Sequence, residues 1–238
     1  MKITKEKLDY FTENIFEESF YNNNGGMGAP DLFTLYLVLD TLKPSILIES
    51  GVWNGISTKL IRKILPDSTI FCLDPREIPD NGFRDTNTKT IYYTGKKFVD
   101  FDTLDLTSYD PRDVFCFFDC HQNALLRTVQ CMKKNLIHLF FNDNYPVNCG
   151  SHYTLEHFFH HDNRHYFPEM DLGLGKCLEV KKRIEIYNIF PNIYPGSIKT
   201  GEGFFECNSF YDKANNDYPS FQIERNKYRW NTYVKLRS

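Results

Sequence analysis

The chain has 238 residues, of which 41% are hydrophobic and 25% charged, and its formal net charge is -3. That length suits one domain with a core of its own, and the near-even charge excludes a protein-wide basic field for nucleic acid or an anionic bilayer. Seven cysteines stand singly, at 72, 116, 120, 131, 149, 177 and 207, with no C-x-x-C pair. They predict reduced thiols and argue against a disulfide framework or a zinc site. The polar start, Met1-Lys2-Ile3-Thr4-Lys5, lacks a signal-like apolar core, and no run approaches membrane-spanning length. The expectation is a cytoplasmic protein with no membrane partner.

Residues 5–21 have helical spacing, with Leu8, Phe11, Ile15 and Phe16 on one side, and the breaker cluster Asn22 to Gly28 reads as a loop over a site. Residues 1–29 therefore form an N-terminal helix and lid loop. Pro30 fits a first helical turn, Leu32 to Leu42 continue the helix, and Pro44 ends it. Ile46-Leu47-Ile48-Glu49 is a buried strand, followed by a loop with Gly51 and Gly55 and a helix from Ser57 to Leu65. A second strand, Ile70 to Leu73, ends in Asp74, and a third lies near Thr90 to Tyr93. Val114 to Phe118 is apolar throughout, as a central parallel strand is. A helix over 123–134, with Leu126, Val129 and Met132 facing in, leads to another buried strand, Leu136 to Phe141. Ile184 to Ile189 and Gly203 to Phe210 read as a last strand pair.

Strands alternating with helices predict an α/β fold. The form expected is a Rossmann-like, doubly wound, mostly parallel seven-stranded sheet, with helices on both faces and a final antiparallel pair. Residues 30–212 form this domain, and 213–238 are a basic, aromatic tail, solvated or docked.

Ligands of open α/β sheets sit beyond the carboxyl ends of the strands. Here those ends carry Glu49, Asp74, Asp119 and Asn142-Asp143. A glycine loop followed by an acid on the next strand is how such folds hold a nucleoside and its ribose. Glu49-x-Gly51-x-x-x-Gly55 is neither G-x-G-x-x-G nor a P-loop, and its acid suits a cationic ligand better than a diphosphate. Asp119, Asn142 and Asp143 offer oxygen ligands to one divalent cation, of the kind Mg²⁺ takes. The bland reading is that Asp119 caps a helix and Asn142-Asp143 make a turn. His152, His157, His160, His161 and His165 cluster without a zinc motif and read as surface or substrate-side groups.

The loop motif resembles the first motif of class I S-adenosylmethionine-dependent methyltransferases. Asp119-Cys120-His121 and Asn142-Asp143 look like the metal-dependent sugar and macrolide O-methyltransferases, including the group named for cephalosporin hydroxylase and rhamnosyl O-methyltransferase. The resemblance spans about Pro30 to Asn144. It implies that Glu49, Gly51, Gly55 and Ser57 hold the methionine end of S-adenosylmethionine, that Asp74 takes the ribose and that Asp100 or Asp102 lies by the adenine, a surface loop being the other reading of that stretch. It further implies Mg²⁺ on Asp119, Asn142 and Asp143, with His121 as the base for a sugar or glycan hydroxyl. Two departures stand out. The acid–His spacing is one residue shorter than the family's D-x-x-H, and Asn142 brings no charge. They leave room for a binding protein that has lost its chemistry, and the basic tail leaves room for an RNA methyltransferase. A small-molecule or glycan acceptor is the expected partner, nucleic acid is disfavoured, and self-association stays open.

Overall fold

The computed structural model describes residues 1–21, 25–147, 149–160, 174–200 and 203–238. Its centre is a seven-stranded sheet in the order β3-β2-β1-β4-β5-β9-β6. β1 (Ile46–Ser50), β2 (Thr69–Asp74), β3 (Thr90–Thr94), β4 (Val114–Phe118) and β5 (His138–Phe141) run parallel. β9 (Thr232–Leu236) lies antiparallel between β5 and β6 (Ile184–Ile189). β1 and β4 are buried along their whole length, as their unbroken apolar runs predict.

Helices cover both faces. On one side pack α1 (Lys5–Tyr10), α2 (Ala29–Leu42) and α3 (Ile56–Ile64), and their apolar residues share a core with Leu47, Ile70, Phe115 and Phe140. On the other, α4 (Ala124–Lys133) and α5 (Leu155–His160) join Ile48, Phe71, Cys116 and Leu139. α2 is buried from Ala29 to Leu39 and ends where Lys43 turns left-handed ahead of Pro44. α6 (Leu174–Arg183) leads into β6, and α7 (Pro219–Ile223) packs near α2.

Four readings are corrected. The N-terminal helix stops at Tyr10, continues as a π-turn over Phe11–Ile15 and becomes extended at Phe16. Leu126 is exposed, and Leu125, Val129 and Met132 form the inward stripe of α4. Residues 203–206 do not complete the main sheet. They are β8 (Gly203–Glu206), which pairs with β7 (Ser197–Thr200) in a separate two-stranded sheet. The partner of β6 comes instead from 213–238, so that segment supplies β9 to the sheet. Its alternation of Thr232, Tyr233, Val234, Lys235 and Leu236 suits a strand with one half-exposed position. The lid assigned within 1–29 falls partly on residues 22–24, outside the described residues.

Strand registers set the site. Ser50 lies level with Leu73 and Phe118, and Phe118 with Phe141. The next residues, Gly51, Asp74, Asp119 and Asn142, therefore emerge side by side. They do so where the strand order reverses between β1 and β4, the topological switch point at which such sheets bind ligands.

Candidate functional site

A cavity of about 400 Å³ opens at this switch point, lined by Gly25, Gly51, Trp53, Asp74, Pro75, Arg76, Asp119, Cys120 and His121. Two of the predicted glycines are explained by the protein itself. Gly51 has φ +96, and a Cβ there would stand 2.3 Å from the Asp119 carbonyl oxygen. Gly55, at φ +80, begins α3, and its Cβ would stand 2.1 Å from the Phe83 carbonyl. Only glycine fits either place. Gly51 faces the cavity, whereas Gly55 seals the loop against 83.

Glu49 and Ser57 face each other. Ser57 Oγ donates to Glu49 Oε1 and Thr58 Oγ1 to Oε2, the latter at 2.6 Å. Glu49 is fully buried, and burial pushes its carboxyl up to about 7 against the pull of those hydroxyls. It ties β1 to the first turn of α3 and does not line the cavity. Asp74 does line it, and its carboxylate is already engaged. The amides of Val52 and Trp53 donate to Oδ2 at 3.0 Å each, and the Arg76 amide to Oδ1 at 2.8 Å. Burial works to raise Asp74, but these amides outweigh it and hold the acid below its usual range. Arg76 reaches back to Asp74 Oδ1 at 3.3 Å and lies 4.6 Å above the Trp53 ring. Asp100 is elsewhere, in a two-pronged pair with Arg127 at 2.8 and 2.9 Å, so its place beside an adenine is not supported by its contacts.

The fourth and fifth strand ends meet. Donor atoms of Asp119, His121 and Asp143 all lie within 4.8 Å of one another. His121 Nε2 is 2.6 Å from Asp143 Oδ2 and 4.0 Å from Asp119 Oδ1. His121 and Asp143 both sit at positive φ, 51 and 57. Burial and the Asp143 charge push Asp119 up to about 7, while the hydrogen bond to Asp143 raises His121. Asp143 is pushed up by burial, but the His121 bond wins and holds it low. Asn142 turns its Nδ2 to Asp119 Oδ1 at 2.9 Å. Asn142 Oδ1 and Asp143 Oδ1 are buried without a hydrogen-bond partner among the described residues, a costly state for such groups. Arg229 Nε stands 3.6 Å from Asp143 Oδ1.

Sequence reasoning missed Trp53, Arg76 and Arg229 and set His152 among peripheral histidines. Arg76 had a local signal, two residues after the Asp74 strand end. Arg229 and His152 reach the site only through the tertiary fold. His152 stacks on His121, with centroids 5.5 Å apart and planes 9° apart. The tail is docked, since Tyr228 and Trp230 are buried; its aromatic rings are not free to grip an RNA strand. His161 and His165 lie outside the described residues. No described helix is long and apolar enough to cross a membrane.

No protein-family model matches this sequence, and no curated protein matches it. Solved structures do. The O-methyltransferase TomG from Streptomyces achromogenes, involved in tomaymycin synthesis and in complex with SAM, is 12% identical over 98% of this chain and 96% of its own, with a TM-score of 0.50. The chain has the Rossmann-like methyltransferase fold. Other matches are CmcI with Mg and SAM, 16% identical over 77% and 76% (TM-score 0.41), and an O-methyltransferase from Bacillus cereus with SAH, 11% identical over 98% and 97% (TM-score 0.41).

Proposed function

We propose that this protein is an S-adenosylmethionine-dependent O-methyltransferase, assisted by a divalent cation, that methylates a hydroxyl of a sugar or glycan. The observation that carries the reading is the meeting of Asp119, His121 and Asp143 beside the cavity that Gly51 and Asp74 line. Asp74, held below its usual range, gives that cavity a negative charge, which suits the sulfonium and ammonium of the cofactor. Gly51 lets the chain run close beneath it, and Asp74 stands where a ribose would meet the second strand.

The donor set fits a divalent cation. Asn142 Oδ1 and Asp143 Oδ1 are buried without a hydrogen bond among the described residues, and burial together with the Asp143 charge pushes Asp119 up. Asp119, Asn142 and Asp143 would hold it, and an all-oxygen set favours Mg²⁺. Bound there, the cation would lower the pKa of an acceptor hydroxyl. His121 stays outside this set because its Nε2 is committed to Asp143. That bond orients the ring and leaves Nδ1 to take the hydroxyl proton, the usual arrangement of a base and its orienting acid. The methyl group is activated by its own sulfonium, so the protein's remaining task is alignment.

Calorimetric titration of S-adenosylmethionine and S-adenosylhomocysteine, with and without Mg²⁺, tests the reading. Micromolar binding supports it. No binding in either condition removes it, together with every site role assigned above.

A further inference from the structure

The His121 side chain is 56% exposed, on a turn at positive φ. One hydrogen bond to Asp143 leaves such a ring free to swing about the N···O line, and an exposed side chain gains entropy by doing so. A base that must meet a hydroxyl needs a narrower geometry.

A wall stands beside it. The His152 ring lies nearly parallel to His121 at 5.5 Å. Tyr145 meets His152 edge-on, at 6.3 Å and 71°, and rests in turn on Trp230 at 5.8 Å. Gly150 lets the turn before His152 press on Tyr145; a Cβ there would stand 2.4 Å from Tyr145 Cδ2. The row Trp230, Tyr145, His152, His121 thus runs from the buried β9 entrance to the base. Burial pulls His152 down to about 4, so its ring is neutral near pH 7. Its buried Nδ1 makes no hydrogen bond among the described residues. This ring is therefore placed by its flat face.

We propose that His152 is a positioning residue for His121: its ring is the wall that keeps the imidazole on Asp143. The inference rests on the reading of His121 as the base.

The test replaces the ring in two ways. His152→Phe keeps a flat face, and His152→Ala removes it. The readout is the His121 Nε2 proton in histidine-labelled protein by NMR, assigned by its loss in His121→Asn. Wild type and His152→Phe are expected to share a protected resonance, and in His152→Ala its exchange is expected to quicken about tenfold or more. Wild-type exchange in His152→Ala would overturn the proposal. So would loss of the resonance in His152→Phe, or its absence from wild type. Thermal melts check that each variant is folded. If His152→Ala does not fold, His152→Gln, which fills space without a flat ring, replaces it under the same criteria. S-adenosylhomocysteine is titrated into the same samples. Its failure to bind would remove the transferase reading, while proton exchange still decides whether His152 holds His121.

Discussion

The two halves of the site differ in how well the protein satisfies itself. Around β1 and β2 every carboxylate has its partners: Glu49 has Ser57 and Thr58, and Asp74 has three backbone amides. Around β4 and β5, two acids crowd together, and Asn142 Oδ1, Asp143 Oδ1 and His152 Nδ1 are buried without a hydrogen bond among the described residues. The first half is built for its own shape. The second leaves buried polar atoms without hydrogen bonds, a state that in a folded protein calls for an explanation. Substitutions should therefore cost stability in the first half and activity in the second.

The harshest test of the first half is Gly51→Ala. The Cβ collides with the Asp119 backbone at a positive φ, and the expected loss is about 3 kcal/mol or more in denaturant melts. A loss under about 1 kcal/mol would mean that the loop yields and the contrast is false. Next comes Glu49. Its carboxyl is raised from 4.5 to about 7, so the folded state holds a proton that the unfolded state has released. Its contribution is fully present below pH 4.5 and is lost as pH rises through 7, up to roughly 3 kcal/mol. Glu49→Gln should flatten that part of the stability–pH curve, and an unchanged slope would place the titration elsewhere.

For the second half, Asp119→Asn should lower methyl transfer about 100-fold while S-adenosylhomocysteine binds as before. Its melting temperature should rise slightly, because a buried like-charge contact is removed. A fall in stability would put Asp119 with the self-satisfied half. The smallest effect belongs to Glu17, which reaches Lys59 and Lys63 at 2.9 and 2.6 Å and is held near 2, chiefly by hydrogen bonds from those lysines. Its contribution is present above pH 4.5 and fades as pH falls through about 2. Because the pair is partly exposed, Glu17→Gln should cost under about 1 kcal/mol at pH 7.

Much of the fold was legible because four strands carry their burial in composition. Ile46 to Ile48, Ile70 to Leu73, Val114 to Phe118 and Leu139 to Phe141 are apolar runs that suit no exposed setting. β9 was hidden for the opposite reason. Lys235 and Arg237 alternate with Val234 and Leu236, so a local window reads as a basic tail, and only pairing with β5 and β6 makes it a strand. The strand-end acids were visible because register follows from the strands themselves. Which acids serve a ligand was not, since that depends on partners far away in sequence. Asp100 is taken up by Arg127, and Asn142 gives only its amide nitrogen to Asp119, its Oδ1 staying without a hydrogen bond among the described residues.

The insertion of β9 between β5 and β6 also bears on the order of events during synthesis. β5 is made about ninety residues before its neighbour, roughly 5 to 20 seconds on a translating ribosome. Until then β5 and β6 present open backbone edges, the kind that recruit the wrong strand. The segment that looked most dispensable is thus the one that closes the sheet, and a nascent chain halted before residue 232 would carry a finished half around β1 and β2 beside a sticky, unsealed one.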